Sequence, residues 1–199
     1  MRYFNIYSKF IFLLLISSLI FINTALRTEA ALQDELSKLK NGEILSRSLS
    51  SELKGGLRGA EAKIFIKASP QKVWGVLNDH ESLPKYVTRF KKAEIIENKP
   101  NSQKVKLAIK FCPFLPTFNY VMAFDTSEKY KRIKFTKIDG AFKKLYGVYD
   151  LEPYQNGTIL RYRIYLDPGF YIPEFVRSSG VSKDLPEILE SVRTRVENN

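Results

Sequence analysis

Apolar residues recur along this chain at two periods, and the change from one to the other divides it. From Phe90 to Leu166 the period is almost always two. Val105, Leu107, Ile109 and Phe111 alternate with Lys104, Lys106, Ala108 and Lys110, and Phe118, Tyr120, Met122 and Phe124 make the next row. Ile133 and Phe135 follow, then Leu145, Tyr149 and Leu151, then Leu160, Tyr162, Ile164 and Leu166. Alternation of this kind sends one set of side chains to one face of a strand. Turns fall at Asn101, at Ser127–Lys131 and at Gln155-Asn156-Gly157, the last a strong hairpin signal. Pro113 and Pro116 make Cys112–Thr117 a loop or strand interruption.

Ahead of these rows, Gly42–Leu49 and Leu57–Lys67 read as extended, with Ala62, Ile64 and Ile66 on one face of the second. Ser69 is placed to cap a helix that starts at Pro70 and turns Val73, Trp74 and Leu77 inward. Asn78–Glu81 ends it, and a second short helix is expected around Leu83–Tyr86. Ala31–Lys40 carries Leu32, Leu36 and Leu39 at helical spacing. After Tyr171 the period becomes 3.6. Val181, Leu185, Ile188, Leu189, Val192 and Val196 form one stripe, opposite Lys183, Glu187, Glu190, Arg193 and Glu197. Pro186 lies inside that run, removes the bond to Ser182 and predicts a kink or break. The order predicts an α+β fold: a curved antiparallel sheet wrapped around a long C-terminal helix kinked near Pro186. Leu107, Ile109 and Phe111 are expected to touch Ile188, Leu189 and Val192.

The N-terminus changes the picture of where the domain starts. Arg2 and Lys9 precede the uncharged apolar run Phe10–Ile22, and Thr28-Glu29-Ala30 places small residues for a cut after Ala30. That layout is a secretory signal, and the run is shorter than the ~20 residues of a membrane span. Residues 1–30 are therefore expected to be a signal peptide, 31–60 a linker or extension, and 61–199 one domain, exported to the periplasm or beyond. An uncleaved N-terminal anchor is the alternative. The chain has 199 residues and a net charge of +11; without residues 1–30 it keeps about +9. Cys112 is the sole cysteine, so no internal disulfide is possible, and an inert buried thiol is expected.

Catalytic chemistry is hard to assemble from these residues. His80 is the only histidine, between Asp79 and Glu81, and reads as a solvated helix terminus. Adjacent acid and imidazole side chains do not converge on one metal, so no metal site is expected. No nucleophile elbow and no Gly-rich phosphate loop occurs. Asn156-Gly157-Thr158 fits a glycosylation acceptor, but its turn chemistry explains it. No catalytic residue and no cofactor is assigned.

Two features remain. The inward rows concentrate large rings, and a sheet curved round a helix leaves space between them. Leu107, Ile109, Phe111, Phe118, Tyr120, Met122, Phe124, Phe135, Tyr149, Tyr162, Leu185, Leu189 and Val192 are the candidate pocket, of the composition that apolar ligand sites have. The second feature is a charge run: Lys129, Lys131, Arg132, Lys134, Lys137, Lys143 and Lys144, a solvated sheet face or an anion-attracting one. Given export, phospholipid headgroups suit it better than nucleic acid, at ~1 kcal/mol per nearby cation. Arg161 and Arg163 fall on the outer parity of their strand.

From Ile64 to Tyr86 the chain resembles the opening of the START-like superfamily, an apolar strand running into Ala68-Ser69-Pro70-Gln71-Lys72-Val73-Trp74-Gly75-Val76-Leu77-Asn78-Asp79. Gly140-x-Phe142, Gly147-x-Tyr149-x-Leu151-x-Pro153, Gly157-Thr158 and Ile172-Pro173 resemble its polyketide cyclase/dehydrase and coenzyme-Q-binding branch. Tyr149 stands where that branch often has tryptophan. The resemblance covers about Asn41 to Asn199 and implies a helix-grip fold with a cavity between sheet and final helix. The superfamily holds lipid carriers, cyclases and ribosome-associating proteins, so fold alone does not give function. Three classes stay open: an exported, monomeric, non-catalytic binding module for a lipid or other apolar small molecule; a cyclase- or hydrolase-like enzyme on an aromatic or polyketide-like substrate; and a surface-interaction protein whose basic face meets anionic membranes.

Overall fold

The computed structural model describes residues 27–49, 57–111, 113–170 and 181–198, with the backbone alone for 181–184. Most of the expected signal segment, Cys112 and Ile172-Pro173 lie outside the described residues. Helix α1, 27–40, belongs to a unit separate from Gly42–Asn199. It ends at the Asn41-Gly42 turn, where the Asn41 N–H donates to the Ser37 carbonyl at 3.0 Å.

The second unit carries the sheet. Its described strands are β1 (Leu45–Ser48), β2 (Arg58–Ile66), β3 (Phe90–Lys99), β4 (Ser102–Ile109), β5 (Phe118–Glu128), β6 (Arg132–Gly140), β7 (Lys144–Tyr154) and β8 (Gly157–Asp167). They form one antiparallel sheet in the order β1-β2-β8-β7-β6-β5-β4-β3. The sheet thus starts at Leu45, inside the stretch expected as a linker. Between β2 and β3 lie α2 (Pro70–Asn78), a 3-10 turn at His80–Ser82 and α3 (Leu83–Tyr86). Ser69 caps α2, its side chain accepting from the Lys72 N–H at 3.4 Å, with Pro70 at the first helical position. The hairpin β7–β8 pairs Tyr154 with Gly157, so its loop residues are Gln155 and Asn156. Gln155 takes the positive φ of 50°. Gly157 belongs instead to the strand, where a Cβ would meet the Ile66 carbonyl oxygen at 2.3 Å.

The terminal helix α4 (Val181–Glu197) continues through Pro186 without a break. Leu185, Leu189, Val192 and Val196 are buried, as the stripe requires. Its packing is one-sided in an instructive way: α4 lies chiefly on β2, then on α2 and β1. Polar contacts fix it there. Glu197 accepts from the Lys67 N–H at 2.9 Å, Arg193 donates to the Gly42 carbonyl at 3.0 Å, and Glu187 pairs with Arg89 at 3.0 Å. The row Leu107, Ile109 and Phe111 therefore faces Ile188 and Val192 across a cavity rather than forming the helix's main bed. The 3-10 turn and α3 pack on β3 and close that side.

Candidate functional site

The cavity measures about 130 Å3. Strand alternation supplies most of its wall: Leu107 and Ile109 from β4, Tyr120, Met122 and Phe124 from β5, Phe135 from β6, Leu145 and Tyr149 from β7, and Tyr162, Ile164 and Leu166 from β8, with Phe111 just beyond β4. Helix α4 adds Leu185, Ile188 and Val192. Of the thirteen residues expected in the pocket, Phe118 and Leu189 are not on the wall. Leu189 is wholly buried where α4 packs. Phe118 joins a ring cluster at one end, stacked on Phe170 at 5.3 Å and tilted against Phe111 at 5.8 Å and Phe142 at 5.4 Å.

Several wall residues escaped the strand pattern. Leu77, Leu83 and Tyr86 come from the short helices, Arg89 from the turn before β3, Phe90 from the first residue of β3, and Phe142 from the β6–β7 connection. Phe142 has a φ of 74°, a left-handed conformation that no strand periodicity announces. Its signal was the Gly140-x-Phe142 motif. Backbone bonds hold that turn: the Ala141 N–H donates to the Asn119 carbonyl and the Lys143 N–H to the Asp167 carbonyl, both at 2.9 Å.

His80 corrects the expectation of a solvated helix end. It is 6% exposed, lines the cavity, and lays its ring against Phe124 with centroids 4.1 Å apart. Desolvation lowers its pKa to about 4, against the opposing pull of the Asp79 charge and the Gln103 side chain. The imidazole is neutral at physiological pH. Burial also raises the phenols. Tyr86 is pushed up to about 12, with Asp79 adding to the effect and Arg195 opposing it. Tyr120, Tyr149 and Tyr162 lie above the ordinary phenol range for the same first reason. The rings of Tyr149 and Tyr162 stack with centroids 4.4 Å apart. Acid–base catalysis works best with a group whose pKa lies near the working pH. These shifts move the wall's imidazole and phenols away from it. The wall's cation, Arg89, is paired with Glu187. Among the described residues no His, Cys, Asp and Glu cluster could hold a metal ion.

The basic run does not gather into one patch. Lys129 and Lys131 sit at the β5–β6 turn, and Lys143 and Lys144 at the opposite end of β6, a strand of nine residues or about 30 Å at ~3.3 Å each. Lys137 lies between them and donates to the Gly140 carbonyl at 3.3 Å. Arg132 and Lys134 are engaged on the outer face. There Arg47–Glu61–Arg163–Asp150–Arg132–Glu128–Lys134 runs as a chain of ion pairs across the sheet. Lys143 pairs with Asp167 at 3.6 Å. Among the described residues Lys129, Lys131 and Lys144 make no ion pair.

A curved open antiparallel sheet, a terminal helix laid along one edge of it and an apolar cavity between them define a START-like helix-grip domain. Residues 66–193 match the family model described as "Polyketide cyclase / dehydrase and lipid transport", and the chain belongs to that family. No curated protein matches the chain by sequence. Among solved structures, a STAR-related lipid transfer protein fragment from Xanthomonas axonopodis is similar at a TM-score of 0.69 and 17% identity, over 77% of this chain and 93% of that one. The ZhuI aromatase/cyclase from a Streptomyces species gives 0.61 and 17%, over 71% and 94%. A START superfamily protein from Mycobacterium smegmatis gives 0.59 and 15%, over 79% and 99%. At these identities the likeness is one of fold.

Proposed function

We propose that this domain binds a lipid or another apolar small molecule in the cavity between sheet and terminal helix, without transforming it. The observation that carries this reading is the wall: a cavity of about 130 Å3 bounded almost wholly by apolar and aromatic side chains. A cavity of ~150 Å3 lined this way takes a benzene-sized guest, whereas drug-sized ligands need ~300 Å3 or more. The occupant is therefore a ring-sized molecule or the apolar end of a larger one. A ring of about 200 Å2, removed from water at ~25 cal/mol per Å2, gains about 5 kcal/mol before association costs. Membership of a family described by both cyclase and lipid-transport activity is consistent with this reading and with the cyclase alternative. Organic extraction of the protein from its native host, followed by mass spectrometry, tests it. A co-purifying apolar molecule is the expected result; turnover of an aromatic polyketide-like substrate would replace it with the cyclase reading.

The surrounding biology belongs to the same proposal. The chain is exported as a monomer, cut after Ala30, and its unpaired Lys129, Lys131 and Lys144 assist contact with anionic lipid during loading. N-terminal sequencing, size-exclusion chromatography and sedimentation with anionic against neutral vesicles check these points in turn.

A further inference from the structure

A cavity that takes a guest needs a way in, and most of its wall cannot supply one. Strands β4 to β8 are joined by backbone ladders, so a passage between them would break several hydrogen bonds at once. One end is filled by the rings of Phe118, Phe142 and Phe170. The remaining wall is the seam between α3 and α4, lined by Leu83 and Tyr86 on one side and Ile188 and Val192 on the other. Helix α3 has four residues, none of them buried. It packs on α4 less than β2, α2 or β1 do. Side chains bridge the seam: Arg89 pairs with Glu187 at 3.0 Å, and the Arg195 guanidinium lies 5.7 Å from the Tyr86 ring centroid.

Tyr86 belongs to both sides of this seam. It lines the cavity, and it also lines an outer groove with Ser191, Thr194 and Arg195 of α4. Its hydroxyl donates to the Val76 carbonyl at 3.5 Å, the long limit for such a bond. On the outer side Arg195 reaches Asp79 at 3.7 Å. We propose that Tyr86 is the gate of the cavity: its ring swings outward into the groove, and the guest passes between α3 and α4. The gate presupposes the cavity as the ligand site. Arg195, backed by Asp79, holds the ring shut by lying over it. The ring turns about its own side-chain bonds, so α4 keeps its packing on β2. A gate of this kind acts on rates. Weakening its closed form raises entry and exit by the same factor and leaves affinity alone, whereas loss of a wall contact raises exit alone.

Toluene is the probe. On the untagged protein at pH 7, titration calorimetry gives its affinity and NMR exchange spectroscopy its exit rate. Arg195→Met is the first variant, because Arg195 holds the gate without lining the cavity. Exit should quicken about fivefold, the scale of one cation–ring contact, with affinity changed by less than about twofold. Tyr86→Ala should quicken exit at least as much. Phe170→Ala loosens the ring cluster instead and should leave exit within about twofold of wild type. Unchanged exit in both Arg195→Met and Tyr86→Ala overturns the gate. So does a greater acceleration in Phe170→Ala, which puts the way in at the ring cluster. An Arg195→Met variant that loses affinity in proportion to its faster exit makes Arg195 a prop of the wall, and overturns the gate too. If toluene does not bind wild type, the cavity reading itself falls and the gate falls with it.

Discussion

Phe135 and Gly147 are register partners on β6 and β7, and the Phe135 ring lies over the glycine. A Cβ built on Gly147 would stand 2.3 Å from Phe135 Cζ and 2.2 Å from the Arg163 carbonyl oxygen. The missing side chain is what lets this ring lie at the cavity wall. Gly147→Ala is expected to destabilise the domain by ~1–3 kcal/mol, since backbone on one side and a packed ring on the other must both move. A lowered urea midpoint with an unchanged slope is the readout.

His80 makes stability depend on pH. Its folded pKa, about 4, lies below the ordinary 6.5, so the unfolded chain binds the proton more readily between those values. Stability from this group is complete above pH 6.5 and is lost as pH falls towards 4, by about 3 kcal/mol in all. Asp79, Gln103 and Phe124 are the groups that face it or act on it. Urea titrations at pH 7 and pH 4.5 should show wild type losing more stability than His80→Phe.

Thr158 ties the start of β8 to the entrance of α2. Its hydroxyl is fully buried and donates to the Ala68 carbonyl at 2.7 Å. Thr158→Val keeps the shape and leaves that carbonyl unpaired, for an expected loss of ~1–2 kcal/mol. Thr158→Ser should retain more than half of the difference. Thermal unfolding of the three proteins side by side decides it.

Met122 lines the cavity from β5. Met122→Trp fills that space, so phenol and toluene should weaken together, each by tenfold or more. A variant that keeps either affinity would place the guest elsewhere.

Local physics made much of this protein readable from its residues. Alternation over Val105–Phe111 and Phe118–Phe124 specifies which side chains face inward whatever strand they pair with, because the pleat has a period of two. Ser69 and Pro70 specify a helix start by backbone hydrogen bonding alone, and the stripe from Leu185 to Val196 specifies one buried face. Eleven of the thirteen expected pocket residues line the cavity for that reason.

Tertiary structure decided the rest. Helix α4 lies on β1, β2 and α2, which leaves Leu107 and Ile109 facing a cavity instead of a packed bed; no periodicity states which strands a helix chooses. Leu189 and Phe118 have the right parity but lie off the wall, since parity selects a face and not a position along it. His80 sits in a polar triplet that reads as solvent-facing, yet the packing of the 3-10 turn onto β3 drives its ring under Phe124. Its burial and its lowered pKa both arise from contacts between residues distant in the chain. Composition cannot encode such contacts, because desolvation is set by what finally surrounds a group and not by its neighbours in sequence.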